Sequence, residues 1–411
     1  MDQQLRRDAE QILHASLQAV QPDAAVRRAL DGFVPGPGKV VLVAVGKAAW
    51  QMANAALGVL GRVDGGLVLT KYGHLRGELP GLVCREAGHP IPDANGFAAT
   101  EEILRMVRPL GREDTVLFLL SGGGSALFEK PLLPAAELQD LTARLLAAGA
   151  GIVEINTIRK RLSGVKGGRF ALACAPARVY GIVLSDVLGD PPDMIASGPA
   201  APDSSTCAEA LAAARRYGLP LSPTAEALLR QETPKTLDNV TLRIAGSVRE
   251  LCAAAARQCR LLGYAPLILT DQLCCEAREA GSFLASILRT QAGAGGRRAF
   301  LAGGETVVHL TGHGLGGRNQ ELALAAARGL DGLDGAAVFS FGSDGTDGPT
   351  DAAGGYADGQ TWAALRAAGH DPGADLADND AYHALDAVGG LLRTGPTGTN
   401  VNDVSIGLLR G

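Results

Sequence analysis

Val40-Val41-Leu42-Val43-Ala44-Val45-Gly46-Lys47-Ala48-Ala49 decides the fold. Six aliphatic residues, four of them valine, make a run of strand length with no polar alternation, as expected for a strand covered on both faces. The run ends in Gly46 and Lys47 and passes directly into an alanine-rich helical pattern, so it reads as one βα unit of a parallel sheet. A lysine in the first turn of a helix is unusual, because the helix start already carries positive partial charge. The same backbone N–H groups attract anions, and Lys47 there points to an anionic ligand.

The unit recurs along the 411 residues. Thr115–Leu120 leads into Ser121, Gly122, Gly123, Gly124 and Ser125, a turn in which the main chain is free to curl round an anion and the two serines can donate to it. Further strands are predicted at 179–184, 241–245, 266–270, 299–302, 307–310 and 337–341. Helices are predicted at the amino terminus and at 48–60, 96–107, 135–148, 248–262, 276–289 and 319–328. The chain is too long for one core, and a break in helical periodicity at Gln231–Asp238 places the boundary between a domain of residues 1–235 and one of residues 236–411.

Composition removes several function classes. With 38 basic and 43 acidic residues the net charge is −5, which does not suit a general nucleic-acid binder. No aliphatic run approaches the ~20 residues of a membrane span, and the amino terminus lacks the apolar core of a signal peptide. The 7 cysteines show no C-x-x-C spacing, so a cytoplasmic protein with free thiols is expected. No segment matches the P-loop pattern G-x-x-x-x-G-K-[ST].

Four other segments carry chemistry. Arg159, Lys160, Arg161, Lys166 and Arg169 crowd one stretch, in which Lys166 stands beside Gly167 and Gly168 and is a candidate phosphate ligand. Asp186 follows the strand at 179–184, where a metal ligand or general base belongs in an open α/β sheet, with Asp190 and Asp193 in the loop beyond. Towards the carboxyl end, Glu305, Arg318, Asn319, Asp344 and Asp347 lie in glycine-rich turns at predicted strand ends. Asn400 lies in the polar loop Thr394–Asp403. Gly312, Gly314 and Gly317 form a G-x-G-x-x-G before a helix, which keeps an NAD(P)H-dependent reductase open as an alternative.

Taken in order, VGKAA, GHPIPDANG, SGGGSALF, INTIRKRLSGVKGG, SDVLGDPPDMIASGP, GGRNQELAL, SDGTDGPTDAAGG and TGPTGTNVND resemble the glycerate 2-kinases whose second half is the MOFRL domain. The resemblance implies an α/β protein with a Rossmann-like α/β/α amino-terminal domain, a smaller α/β carboxyl-terminal domain with its MOFRL segment at about 297–405, and an active site in the cleft between them. It implies transfer of the γ-phosphoryl of ATP to the 2-hydroxyl of D-glycerate, with Mg²⁺, in a monomer or homodimer. Some relatives are labelled hydroxypyruvate reductases, the alternative activity. On this reading Lys47, Asp186, Arg318 and Asp344 are catalytic, with Asp186 or Asp344 as the base. Ser121, Gly122, Gly123, Gly124, Ser125, Lys166, Asn319 and Asn400 bind substrate or phosphate. Asp186, Asp190, Glu305 and Asp347 are the candidate Mg²⁺ ligands. Arg161 departs from the family pattern, where many relatives carry histidine.

Overall fold

A computed structural model describes residues 1–411, which form two compact units, Ala25–Ala245 and Met1–Ala24 together with Gly246–Gly411. The first unit holds strands β1 (Val40–Val45), β2 (Gly65–Lys71), β3 (Val83–Ala87), β4 (Thr115–Leu120), β5 (Arg178–Leu184) and β6 (Val240–Gly246) in the order β3-β2-β1-β4-β5-β6. β1 runs parallel to both β2 and β4, and the β2–β3 and β4–β5 pairs are parallel as well. Side chains alternate between faces along a strand, and here both faces are apolar. Val41, Val43 and Val45 enter one buried cluster with Val116, Phe118 and Leu120. Leu42 and Ala44 enter another with Leu117 and Leu119. The continuous hydrophobicity of β1 and β4 follows from this double burial.

The strand order reverses between β1 and β4. In an open parallel sheet such a reversal leaves a crevice at the carboxyl ends of the two strands, where ligands bind. The turns that leave β1 and β4 are those of Lys47 and of Ser121–Ser125.

The second unit holds β7 (Ala265–Leu273), β8 (Arg298–Gly304), β9 (Ala336–Gly342), β10 (Gly354–Asp358), β11 (Leu391–Leu392) and β12 (Asp403–Leu409) in the order β11-β10-β9-β12-β8-β7. β12 is antiparallel to both β8 and β9, so its first residue, Asp403, stands opposite Gly304 and Gly342 at their last positions. That register gathers the loops after β8 and β9 and the segment entering β12 at one end of the sheet.

Two expectations are corrected. The strand predicted at 307–310 is a loop that makes only an isolated bridge from Val307 to Glu276, with Leu310 exposed. Its backbone is held instead by Asn379, whose amide donates to the His309 carbonyl at 3.1 Å and accepts from the Thr311 N–H at 2.8 Å. The domain boundary moves from 235/236 to 245/246, because β6 completes the first sheet, and residues 1–24 belong with the carboxyl-terminal unit.

The amino-terminal helix Gln3–Ala19, capped by Asp2, buries Leu5, Ile12, Leu13 and Leu17 and packs against the helix Val248–Leu261. Buried Asp8 accepts from the Tyr264 hydroxyl at 2.7 Å and from Arg297 at 3.2 Å. Each of those four apolar side chains contributes roughly 1.5–3 kcal/mol on burial. Deleting residues 1–19 is therefore expected to lower the stability of the second unit by several kcal/mol while the first unit unfolds as before, measurable by urea unfolding followed with hydrogen exchange in each unit.

Candidate active site

In the first unit the turns after β1 and β4 are tied to each other. The Lys47 N–H donates to the Gly122 carbonyl at 2.9 Å, and the Ala48 N–H donates to Ser121 Oγ at 3.1 Å. Gly46 has φ +121°, and a Cβ there would stand 2.2 Å from Ser121 Oγ, so only glycine permits this approach. Ser121 is buried and its hydroxyl holds the turn together. Lys47 is exposed, and its ammonium makes no hydrogen bond or ion pair within the protein.

The three glycines of the β4 turn each leave room for a different neighbour. A Cβ on Gly122 would meet Asp186 Oδ2 at 2.5 Å. One on Gly123 (φ +89°) would meet His89 Cδ2 at 3.1 Å and Lys47 Cγ at 3.2 Å, and one on Gly124 would meet the Ala196 methyl at 2.9 Å. The β4 turn thereby has Lys47 and Asp186 as neighbours, and also His89, which was not singled out. Burial lowers the pKa of His89, and Lys47, Lys71 and His74 lower it further. His74 also contacts the Lys47 carbonyl through Nδ1 at 3.2 Å. The result is a patch of basic groups without a paired carboxylate on Lys47.

The basic run at 159–169 lies inside the unit rather than on its surface. Lys166 is buried and donates to the Ser125 and Phe128 carbonyls at 2.9 and 3.0 Å, with Glu129 at 3.5 Å. Burial pulls its pKa down to about 8, against the attraction of Glu129. Arg159 joins it on the Ser125 carbonyl at 2.9 Å. Lys166 is thus no phosphate ligand but a brace on the glycine turn, and the expectation of direct binding is corrected. Lys160 pairs with Asp193 and Asp203, and Arg161 donates to Ser205 and Glu232. Burial alone would raise Asp203, but hydrogen bonds from Thr233 and Lys160 hold it at about 2. Arg161 is thereby held inside a buried network of ion pairs and hydrogen bonds. Ser125 reaches Ser197, whose φ of +62° follows Ala196 at +51°. Two consecutive non-glycine residues in the left-handed region mark stored strain beside the site.

The second unit builds a different cluster from the ends of β8, β9 and β12. Arg318, at the start of the helix Arg318–Leu330, grips Asp403 through Nε and Nη2 at 2.5 and 3.1 Å and Glu305 through Nη1 at 2.9 Å. Burial opposes its charge, but Asp403 and Glu305 raise its pKa, so the guanidinium is fixed and charged. Glu305 is therefore an ion-pair partner. Asp403 had no role in the sequence reading.

Asp347 accepts the Asn319 and Gln320 N–H groups at 3.1 and 2.9 Å and the Asn319 side-chain amide at 3.1 Å. Burial raises its pKa to about 6, against these hydrogen bonds. It caps a helix start from a distant loop, and Asn319 spends its other end on Ser340 at 2.5 Å. Neither side chain is available to a metal or phosphate, which corrects both assignments. Asp344 accepts the Thr346 N–H at 3.0 Å and is half-buried. Exposed Asn400 accepts the Asn402 N–H at 3.2 Å.

The G-x-G-x-x-G has its own explanation. A Cβ on Gly312 would lie 2.3 Å from Asp378 Cα, and one on Gly314 2.4 Å from Asp380 Cβ. These glycines admit the 378–380 loop rather than a pyrophosphate. The helix N–H groups that a dinucleotide would need are already taken by Asp347.

No group of three or more His, Cys, Asp or Glu side chains forms a ready metal cage. A magnesium ion that arrives on phosphates needs only one or two carboxylates. Asp186, against Gly122, and Asp190, whose buried Oδ1 has no hydrogen-bond partner and whose φ is +54°, fit that requirement. Glu305 and Asp347 do not.

Anion-seeking turns at the switch point of a parallel sheet, without a P-loop, define an α/β protein that handles a small, highly charged substrate. The domain of unknown function DUF4147 matches residues 8–230, and the MOFRL family matches residues 298–403. The D-glycerate 2-kinase of Thermotoga maritima is 52% identical over 98% of both chains. A putative hydroxypyruvate reductase of Agrobacterium vitis is 39% identical over 98% of this chain and 94% of its own. A crystal structure of glycerate kinase from Thermotoga maritima superposes with a TM-score of 0.95 at 51% identity, covering 99% of each chain. The chain belongs to the glycerate 2-kinase family with a MOFRL domain.

Gly123→Ala places a methyl against His89 and Lys47 at a left-handed position, which costs about 1–3 kcal/mol. It is expected to lower turnover at least tenfold while thermal unfolding stays cooperative. Lys166→Met leaves the Phe128 carbonyl without its donor and Glu129 with only Arg159, at 3.7 Å, and is expected to cost about 3–5 kcal/mol in urea unfolding.

Proposed function

We propose that this chain is an ATP-dependent D-glycerate 2-kinase, forming 2-phosphoglycerate and ADP. The observation that carries the reading is Lys47, an unpaired ammonium whose stem lies against the triglycine turn at the β1/β4 switch point. Phosphoryl transfer asks a protein for in-line positioning and for compensation of spread negative charge, with little covalent chemistry. The β4 turn supplies unhindered main chain, Lys47 supplies a mobile positive charge, and Lys71 and His74 add to the local potential. The glycerate 2-hydroxyl oxygen bonds to the γ-phosphorus as the bond from that phosphorus to the β,γ-bridging oxygen breaks, and ADP leaves.

Asp186 and Asp190 are the residues we assign to Mg²⁺. When bound, the ion would neutralise phosphate oxygens of ATP. Arg318 is assigned to an anionic group of a substrate, because Asp403 and Glu305 fix its plane yet leave one N–H on each of Nη1 and Nη2 free of those bonds. No helix is long and apolar enough to cross a membrane, and all seven cysteines are free. Both facts suit action in the cytoplasm.

A hydroxypyruvate reductase would need a dinucleotide site, and the 312–317 turn is filled by protein. Incubation with ATP, Mg²⁺ and D-glycerate is expected to yield a product that enolase consumes without a mutase. NADH with hydroxypyruvate is expected to show no oxidation above background. Lys47→Ala is expected to cut kcat by about 10³-fold with an unchanged thermal melt, as for loss of a charged transition-state contact; near-normal turnover would remove Lys47 from the reaction.

A further inference from the structure

We infer that His89 is a catalytic residue, the group that takes the proton from the acceptor hydroxyl during phosphoryl transfer. The inference rests on the kinase reading above and on where His89 sits. It follows β3 in the chain, yet its ring reaches the β4 turn, where a Cβ on Gly123 would come within 3.1 Å of Cδ2 and 3.3 Å of Nε2. The same hypothetical atom would lie 3.2 Å from Lys47 Cγ. Gly123 is thus the point at which imidazole and lysine stem converge, and any larger residue would separate them.

Neither ring nitrogen of His89 has a hydrogen-bond partner in the protein, and the ring is half-buried. Neither nitrogen is sealed in the interior, so both stay open to a ligand. The charged groups that face it are Lys47 from the β1 turn and Lys71 and His74 from the end of β2 and the turn after it. All are bases. Together with burial they hold His89 below its ordinary value of about 6.5, and therefore neutral and able to accept a proton at pH 7. The two carboxylates considered for this step have other tasks. Asp186 is assigned to the metal, and Asp344 accepts the Thr346 N–H at 3.0 Å.

The step balances. As the glycerate oxygen bonds to the γ-phosphorus, its O–H bond breaks and the proton passes to a ring nitrogen of His89. ADP departs with the electron pair of the broken P–O bond, and the imidazolium then releases its proton to solvent. The surrounding cations make that release easy and keep the resting ring uncharged.

The test compares the wild-type protein with His89→Gln, which keeps a hydrogen-bonding side chain but cannot carry the proton. For the wild type, kcat/KM for D-glycerate is expected to fall as pH drops through an apparent pKa below 6.5. His89→Gln is expected to lose about 100-fold or more in kcat, in the range of general-base contributions. Its KM for ATP should stay within about threefold, its thermal melt should be native, and the histidine limb of its pH profile should be gone. Three results overturn the assignment: kcat within about threefold of wild type, a loss confined to KM, or the same acid limb in the variant. A variant that melts early is replaced by His89→Asn, judged by the same pH limb. Wild-type protein that forms no 2-phosphoglycerate would overturn the kinase reading itself, and is thereby told apart from a failure of His89 alone.

Discussion

Two hydrogen bonds at the ends of β1 and β4, one within the backbone and one from backbone to a serine hydroxyl, set the rest of the first unit. The Lys47 N–H meets the Gly122 carbonyl, and the Ala48 N–H meets Ser121 Oγ. Together they close the switch point of a parallel sheet into one composite turn. Close approach forbids a side chain at Gly46, and the left-handed backbone demands glycine at Gly123. Around the space so opened stand a lysine without a counter-ion, a histidine without a partner in the protein, and an aspartate, the groups we propose for the reaction. Behind the turn, Lys166 and Arg159 hold the Ser125 carbonyl from the interior. The buried cations brace the turn, and Lys47 is exposed.

The second unit solves a related problem by other means. Its mixed sheet brings the start of β12 beside the ends of β8 and β9, so Asp403 can meet Arg318 although 85 residues separate them. A helix start, of the kind that elsewhere holds phosphate, is satisfied from within by Asp347. That internal cap separates this turn from a dinucleotide fold with the same glycine spacing, because a ligand would have to displace three hydrogen bonds.

The sequence made some of this visible and hid the rest for physical reasons. β1, β4 and β5 are covered on both faces and announce themselves as apolar runs. β2 opens on Gly65-Gly66, β3 carries Arg85 and Glu86, and β10 opens on Gly354-Gly355, so none shows the run or the alternation that marks a strand. Lys47 and the triglycine turn could be found because a lysine at a helix start and three adjacent glycines are locally costly. His89 and Asp403 could not, although both lie in motifs that identified the family, because their neighbours come from distant strands. The basic run at 159–169 misled in the opposite way. Charge density is legible in a sequence, but Asp193, Asp203, Glu129 and Glu232, which take that charge inward, are not adjacent to it. Nor does any local signal say that the helix of residues 3–19 joins the unit at the far end of the chain.

The central claim is that phosphoryl transfer takes place at the β1/β4 turn. A crystal structure of the whole chain with ADP, aluminium fluoride, Mg²⁺ and D-glycerate tests it most directly. The account predicts the planar fluoride against the main chain of Gly122–Gly124, with Lys47 Nζ and a His89 ring nitrogen within hydrogen-bonding distance of the reacting groups. Fluoride and nucleotide lodged instead at the 312–317 turn, with the β4 turn left to solvent, would contradict it.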